Sequence, residues 1–185
     1  MRTFLAADIE TGVNEKIGKF TENLRRIDQN VKWVKPANNH LTIYFFGEID
    51  ETGKDVLEKT IQAAVEEIAP FSVSAGGLSA FPSMKRPRVF WTGIENTTGE
   101  LNKIYEYIKN DLPTKSIKVN IETRDYTPHL TIGRVKGRCG EGIITELSSH
   151  REIEFGKFQI KSIVFYQSIL RREGPLYKPI KIYEL

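Results

Sequence analysis

The sequence predicts an α+β fold built on a duplicated unit. Two mostly antiparallel sheets with outer helices should flank a central cleft and be related by a pseudo-twofold. Three observations carry this expectation. β-Branched and aromatic runs alternate with stretches of helical spacing. The tetrapeptide HLTI occurs at 40–43 and again at 129–132, in NNHLTIYFFGEI and YTPHLTIGRV. Both copies fall at the same point of a strand, helix, strand, HLTI strand, helix, strand order.

The elements follow in chain order. RTFLAADI (2–9) is apolar and β-prone, and a turn-prone Thr-Gly ends it. Val13, Ile17, Phe20, Leu24 and Ile27 are spaced three and four apart, which predicts an amphipathic helix. VKWV (31–34) reads as a short strand, Pro36 with Asn38 and Asn39 as a turn, and HLTIYFF (40–46) as a strand stopped at Gly47. Asp50 is a natural N-cap for a helix carrying Leu57, Ile61, Ala64 and Val65 on one face, closed by Pro70. FSVSAGGL (71–78) alternates as a strand does, and PSMKRP (82–87) is a basic loop bracketed by prolines.

The second series opens with the strand RVFWTGI (88–94). Leu101, Ile104, Tyr105 and Ile108 mark a helix that Pro113 ends. SIKVNIE (116–122) reads as a strand, followed by TPHLTIGRV (127–135). A weaker helix near 141–150, a long strand near 153–166 and a last strand in 176–185 complete the chain. No low-complexity linker separates the halves, so residues 1–185 are read as one two-lobed domain.

Composition narrows the function classes. A formal charge of +3 is compatible with a polyanionic ligand but lacks the dense basicity of a dedicated nucleic-acid binder. Cys139 is the only cysteine, which rules out an intramolecular disulfide and suits a reducing cytoplasm. One cysteine and three histidines are a poor basis for a Zn site, so no metal and no cofactor are expected. No apolar stretch has the length of a membrane span.

Side chains on a strand alternate between faces, so His40 and Thr42 share one face and Leu41 and Ile43 the other. His129 and Thr131 stand likewise against Leu130 and Ile132. Facing lobes would place two imidazoles and two hydroxyls around one cleft. One imidazole can accept a proton while the other donates one, and threonine hydroxyls can bond phosphate oxygens. In-line displacement at phosphorus needs a base by the nucleophile and an acid by the leaving oxygen. The residues alone leave open which histidine is which.

Around this set, Arg134 is a candidate phosphate ligand or a structural ion-pair partner. Strict alternation points it away from the cleft, unless Gly133 hosts a bulge that turns it back. Tyr44 and Phe46 are expected on the cleft side as base or RNA contacts, with Phe45 in the core. Lys85, Arg86 and Arg88, with Arg171 and Arg172, either steer an RNA backbone or form a solvated surface. His150 lacks a threonine partner and reads as a helix-end surface residue. Cys139, in GRCGEG, is assigned no role.

The paired HxTx tetrapeptides resemble the signature of the two-histidine phosphoesterases. HLTIYFFGEI and TPHLTIGRVKG are similar to the LigT-like branch, the RNA 2′,3′-cyclic phosphodiesterases also called 2′-5′ RNA ligases. RTFLAADI, RVFWTGI and SILRREGPLY resemble it too, so the likeness spans nearly the whole chain. One departure is Phe46, where many relatives carry Leu. The resemblance implies a bilobal fold and metal-independent hydrolysis of RNA 2′,3′-cyclic phosphates to 2′-phosphates. It implies His40 as proton donor, His129 as proton acceptor, and Thr42 and Thr131 as phosphate ligands. The partner would be RNA with a cyclic phosphate end or a 2′-5′ linkage, tRNA fragments included, acted on by a monomer away from membranes. Reverse ligation and non-catalytic RNA or nucleotide binding are the alternatives.

Overall fold

The apolar run Arg2–Asp8 forms strand β1, and five successive residues from Thr3 to Ala7 are buried. Helix α1 (Thr11–Arg25) turns Val13, Ile17, Thr21 and Leu24 inward. Ile27 lies beyond its end and is exposed, because the helix stops before the periodic pattern does. Strand β2 (Val31–Trp33) and a 3-10 turn (Pro36–Asn38) lead into β3 (His40–Glu48). Asp50 caps α2 (Glu51–Val65), its Oδ1 accepting from Gly53 N at 2.7 Å, a bond that satisfies one of the orphan donors of the first turn. Strands β4 (Phe71–Phe81) and β5 (Val89–Glu95) flank the basic loop. Helix α3 (Glu100–Asp111) follows Gly99, whose φ of 83° is one that few side chains tolerate. Then come β6 (His129–Val135), α4 (Glu141–Ser149), β7 (Glu154–Ile160), β8 (Ser162–Arg171) and β9 (Gly174–Glu184). This computed structural model describes residues 1–172 and 174–185.

Two antiparallel sheets result, in strand orders β3-β1-β8-β9 and β2-β6-β5-β4-β7. Helices α2 and α3 pack against each other and onto β9 and β3, while α1 and α4 pack onto β7, β2 and β4. The sheets meet where β3 contacts β6, so the two HLTI strands lie at the junction. The core is built from the faces opposite: Leu5, Leu41, Phe46 and Phe165 in one sheet, and Phe90, Leu130, Ile132 and Phe155 in the other. No helix among the described residues is long and apolar enough to cross a membrane.

Two expected strands are corrected. The stretch 153–166 is not one strand: β7 ends at Ile160 and β8 starts at Ser162, and the two belong to different sheets. Continuous β-propensity cannot reveal that Lys161 is a crossover point. Residues 116–122 form no strand. They run beside the edge strand β3, held by Asn120 N donating to Phe46 O at 2.8 Å and Asn120 Nδ2 to Phe45 O at 3.2 Å. Their alternation is real, but one backbone bond does not make a ladder.

Candidate active site

His40 opens β3 and His129 opens β6, each with its threonine two residues on. Both copies carry a β-bulge at the fourth letter of HLTI. Across β1 and β3, Leu5 pairs with Tyr44 and Ala6 with Thr42, leaving Ile43 extra. Across β5 and β6, Phe90 pairs with Gly133 and Trp91 with Thr131, leaving Ile132 extra. A bulge adds one residue to one strand and so reverses the alternation beyond it.

That reversal decides where the accessory residues go. Arg134 turns toward the cleft, where it lines a pocket of about 180 Å³ with His40, Thr42, His129 and Thr131. Tyr44 and Phe46, expected as cleft-side base contacts, are instead core residues, at 1% and 0% exposure. Their rings stack at 5.2 Å, and the Tyr44 hydroxyl accepts from Glu122 N. Phe45, expected in the core, is exposed, with the Arg2 guanidinium 4.9 Å above its ring. Strict alternation misplaces all three because bulges leave no mark in a hydrophobicity pattern.

Gly133 is required by close approach rather than by its dihedral angles. A Cβ there would stand 2.8 Å from Trp33 Cε3 and 2.9 Å from Val31 Cγ1. Gly133→Ala is therefore expected to push β2 off β6, destabilising the fold by roughly 1–3 kcal/mol and displacing Arg134. Thermal unfolding together with turnover checks this, and an unchanged midpoint would show that β2 can yield.

Each imidazole is held in the same way. His40 Nδ1 lies 2.9 Å from Asn38 O, and His129 Nδ1 lies 2.7 Å from Thr127 O. A carbonyl only accepts, so Nδ1 carries the hydrogen and Nε2 is the nitrogen left for chemistry. Aromatic rings fix the rest of each imidazole: Phe4 at 4.8 Å and Tyr177 at 4.9 Å around His40, Phe81 at 5.0 Å and Trp91 at 5.8 Å around His129.

A family model of LigT-like phosphoesterases matches the chain twice, over residues 8–91 and 93–177, one copy for each HLTI strand. The chain belongs to that family. Among its relatives is an RNA 2′,3′-cyclic phosphodiesterase of Methanothermobacter thermautotrophicus, 30% identical, the match covering all of this chain and 99% of the relative. Another of that name, from Methanocaldococcus jannaschii, is 34% identical over 98% of this chain and 99% of its own. The crystal structure of TT0787 of Thermus thermophilus shares the fold with a TM-score of 0.84 at 21% identity, covering all of this chain and 98% of that one.

In this LigT-like phosphoesterase the two histidines differ electrostatically. Burial pushes both imidazoles below their ordinary value, the carbonyl bonds pull both up, and the Arg134 guanidinium pulls both down. Only His40 has a carboxylate opposing these effects. Its cross-strand partner is Asp8, on the same face, whereas that of His129 is Gly93, which has no side chain. Tyr166 OH donates to Asp8 Oδ1 at 2.8 Å, and burial with that carboxylate keeps the phenol protonated as a donor. Asp8 is invisible as a partner in the sequence because only ladder register reveals who stands opposite His40.

The remaining sequence candidates lie off this LigT-like pocket. Lys85, Arg86, Arg88, Arg171 and Arg172 are exposed and do not line it. His150 follows α4 as its C-cap, its Nδ1 bonded to Glu146 O, and Cys139 is a half-buried free thiol. Lys32 and Lys35, which no motif in the sequence marks, do line the pocket.

Proposed function

We propose that this LigT-like phosphoesterase hydrolyses 2′,3′-cyclic phosphate ends of RNA to 2′-phosphates by two-histidine acid–base catalysis without a metal. One observation carries the reading. Two imidazoles, each with Nδ1 tied to a carbonyl and Nε2 left for chemistry, line one small pocket with two threonines and an arginine. The names of the curated relatives support the substrate class. Both walls come from one chain, so the acting unit is read as a monomeric, two-lobed domain over 1–185. A lone cysteine suits a cytoplasmic location.

The steps balance on these residues. His129 Nε2 takes a proton from water as its oxygen bonds to phosphorus. The bond from phosphorus to the 3′-oxygen breaks, and His40 supplies that oxygen with its proton. Thr42, Thr131 and Arg134 hold the non-bridging oxygens while charge builds on them. The product is a 2′-phosphate and a free 3′-hydroxyl. His129 leaves charged and His40 neutral, and exchange with solvent resets both. The Asp8 carboxylate favours charge on His40, which matches its role as donor.

Purified protein is expected to open a 2′,3′-cyclic nucleotide to its 2′-phosphate in EDTA at an undiminished rate. Complete loss with chelator, or a 3′-phosphate product, would overturn the mechanism. The rate should be bell-shaped in pH, rising as His129 becomes neutral and falling as His40 loses its proton. Asp8→Asn removes the carboxylate that favours charged His40. The alkaline limb should therefore move to lower pH, with the acid limb unmoved. Movement of the acid limb instead would exchange the two roles.

A further inference from the structure

The two HxT copies are equivalent, but their surroundings are not. Arg134 lies five residues after His129, and the corresponding residue after His40 is Phe45. Lys32 lies eight residues before His40, where the other copy has Ile121. Lys35 lies five before His40, where the other copy has Arg124. Arg124 is already committed to Glu122, with Nη2 2.7 Å from Oε2. The chain thus repeats its catalytic pairs while collecting cations on one side of the pocket only.

These cations stand in an unfavourable arrangement. Lys32 and Arg134 are direct partners in the β2–β6 ladder, on one face, where like charges oppose folding. Among the described residues, no carboxylate lies within ion-pair distance of Lys32, Lys35 or Arg134. All three line the pocket that holds the histidines. A cyclic phosphate diester carries a single negative charge, which Arg134 and a protonated His40 already exceed. Two lysines are left over. The larger trough of about 850 Å³ beyond Trp91 and Pro128 carries Glu95, Glu152 and Glu154 against Lys157 alone, so a polyanion is disfavoured there.

Resting on the proposed function, the geometry points to a second anion subsite at Lys32 and Lys35 that takes the phosphodiester one nucleotide upstream of the cyclic phosphate. The substrate class is then an RNA chain end rather than a free mononucleotide. A cyclic phosphate on Arg134 answers part of the positive charge of the Lys32–Arg134 pair, and a second phosphate at Lys32 and Lys35 answers the rest, so binding favours a ligand with two phosphates in sequence. Phe45 and Ile121, at the equivalent sequence offsets in the other copies, are exposed and apolar and do not line the pocket.

The experiment compares kcat/KM for a dinucleotide ending in a 2′,3′-cyclic phosphate with that for the cyclic mononucleotide. The wild-type protein should prefer the dinucleotide by about tenfold or more, the worth of one charge-assisted contact. Lys32→Gln with Lys35→Gln should reduce that preference to about twofold, the larger loss falling on the dinucleotide, and lower the salt slope for the dinucleotide by about one. A neutral methylphosphonate at the internucleotide linkage should abolish the preference in the wild-type protein. Thermal stability of the double variant should hold or rise, since a repulsive pair is removed. Absence of a wild-type preference, or equal loss on both substrates, would overturn the subsite while leaving the function standing. Absence of turnover by the wild-type protein on either substrate would remove both.

Discussion

Replacing His40 or His129 by alanine is expected to lower kcat on a 2′,3′-cyclic phosphate by about 10²–10⁴-fold each, the usual worth of a positioned general acid or base. The double replacement should cost little more than either single one, because the two act in one step. Each imidazole sits among aromatic rings, so alanine opens a gap; His→Gln variants, with unfolding curves, separate lost chemistry from lost packing. The roles are separable as well. A substrate whose 3′-bridging oxygen is replaced by sulfur has a leaving group that needs no proton. On that substrate the His40 variant should recover most of its rate, while the His129 variant should stay slow. Recovery of the His129 variant instead would reverse donor and acceptor, and near-normal rates for both single variants on the ordinary substrate would remove the pair from the chemistry.

How far the sequence could be read follows from what kind of fact each feature is. The repeated HLTI, with its two strands and their common order, is spelled in the letters themselves, and so is the helical spacing of Val13, Ile17 and Leu24. The bulges at Ile43 and Ile132 are not, because they arise when one strand takes an extra residue against its neighbour. Tyr44, Phe45 and Phe46 are misplaced by strict alternation for that single reason. Gly133 does accompany a bulge, as its place before Arg134 suggests, and close packing against Trp33 leaves room only for glycine there. Asp8 beside His40, and Lys32 beside Arg134, are facts of register between strands distant in sequence. The break at Lys161 is a fact of topology: either side of it favours a strand, and nothing local says that the sheets differ. Residues 116–122 lie where a duplicated unit would place a strand, yet only Asn120 makes a backbone-to-backbone bond to β3, so similarity between halves overestimates regular structure.

Arg134 should give the second large effect. Arg134→Gln is expected to lower kcat/KM by about 10²-fold, the usual range for losing one donor to a developing oxyanion. Its fold should survive, because the variant also frees Lys32 from a like charge directly across the ladder. An unchanged or raised melting temperature would therefore show that the loss is chemical. The pH profile supplies the sharper criterion. Arg134 holds both imidazoles down, so removing its charge raises the pH at which each loses its proton. The acid limb, set by neutral His129, should move up, and the alkaline limb, set by charged His40, should move up with it. The whole bell shifts to higher pH, whereas Asp8→Asn moves one limb and moves it down. Two opposite charges beside the same pair of rings thus predict two different distortions of one curve. If Arg134→Gln kept its rate within about threefold and left both limbs in place, the guanidinium would have no hold on either phosphate or imidazole, and the bulge at Ile132 would serve packing alone.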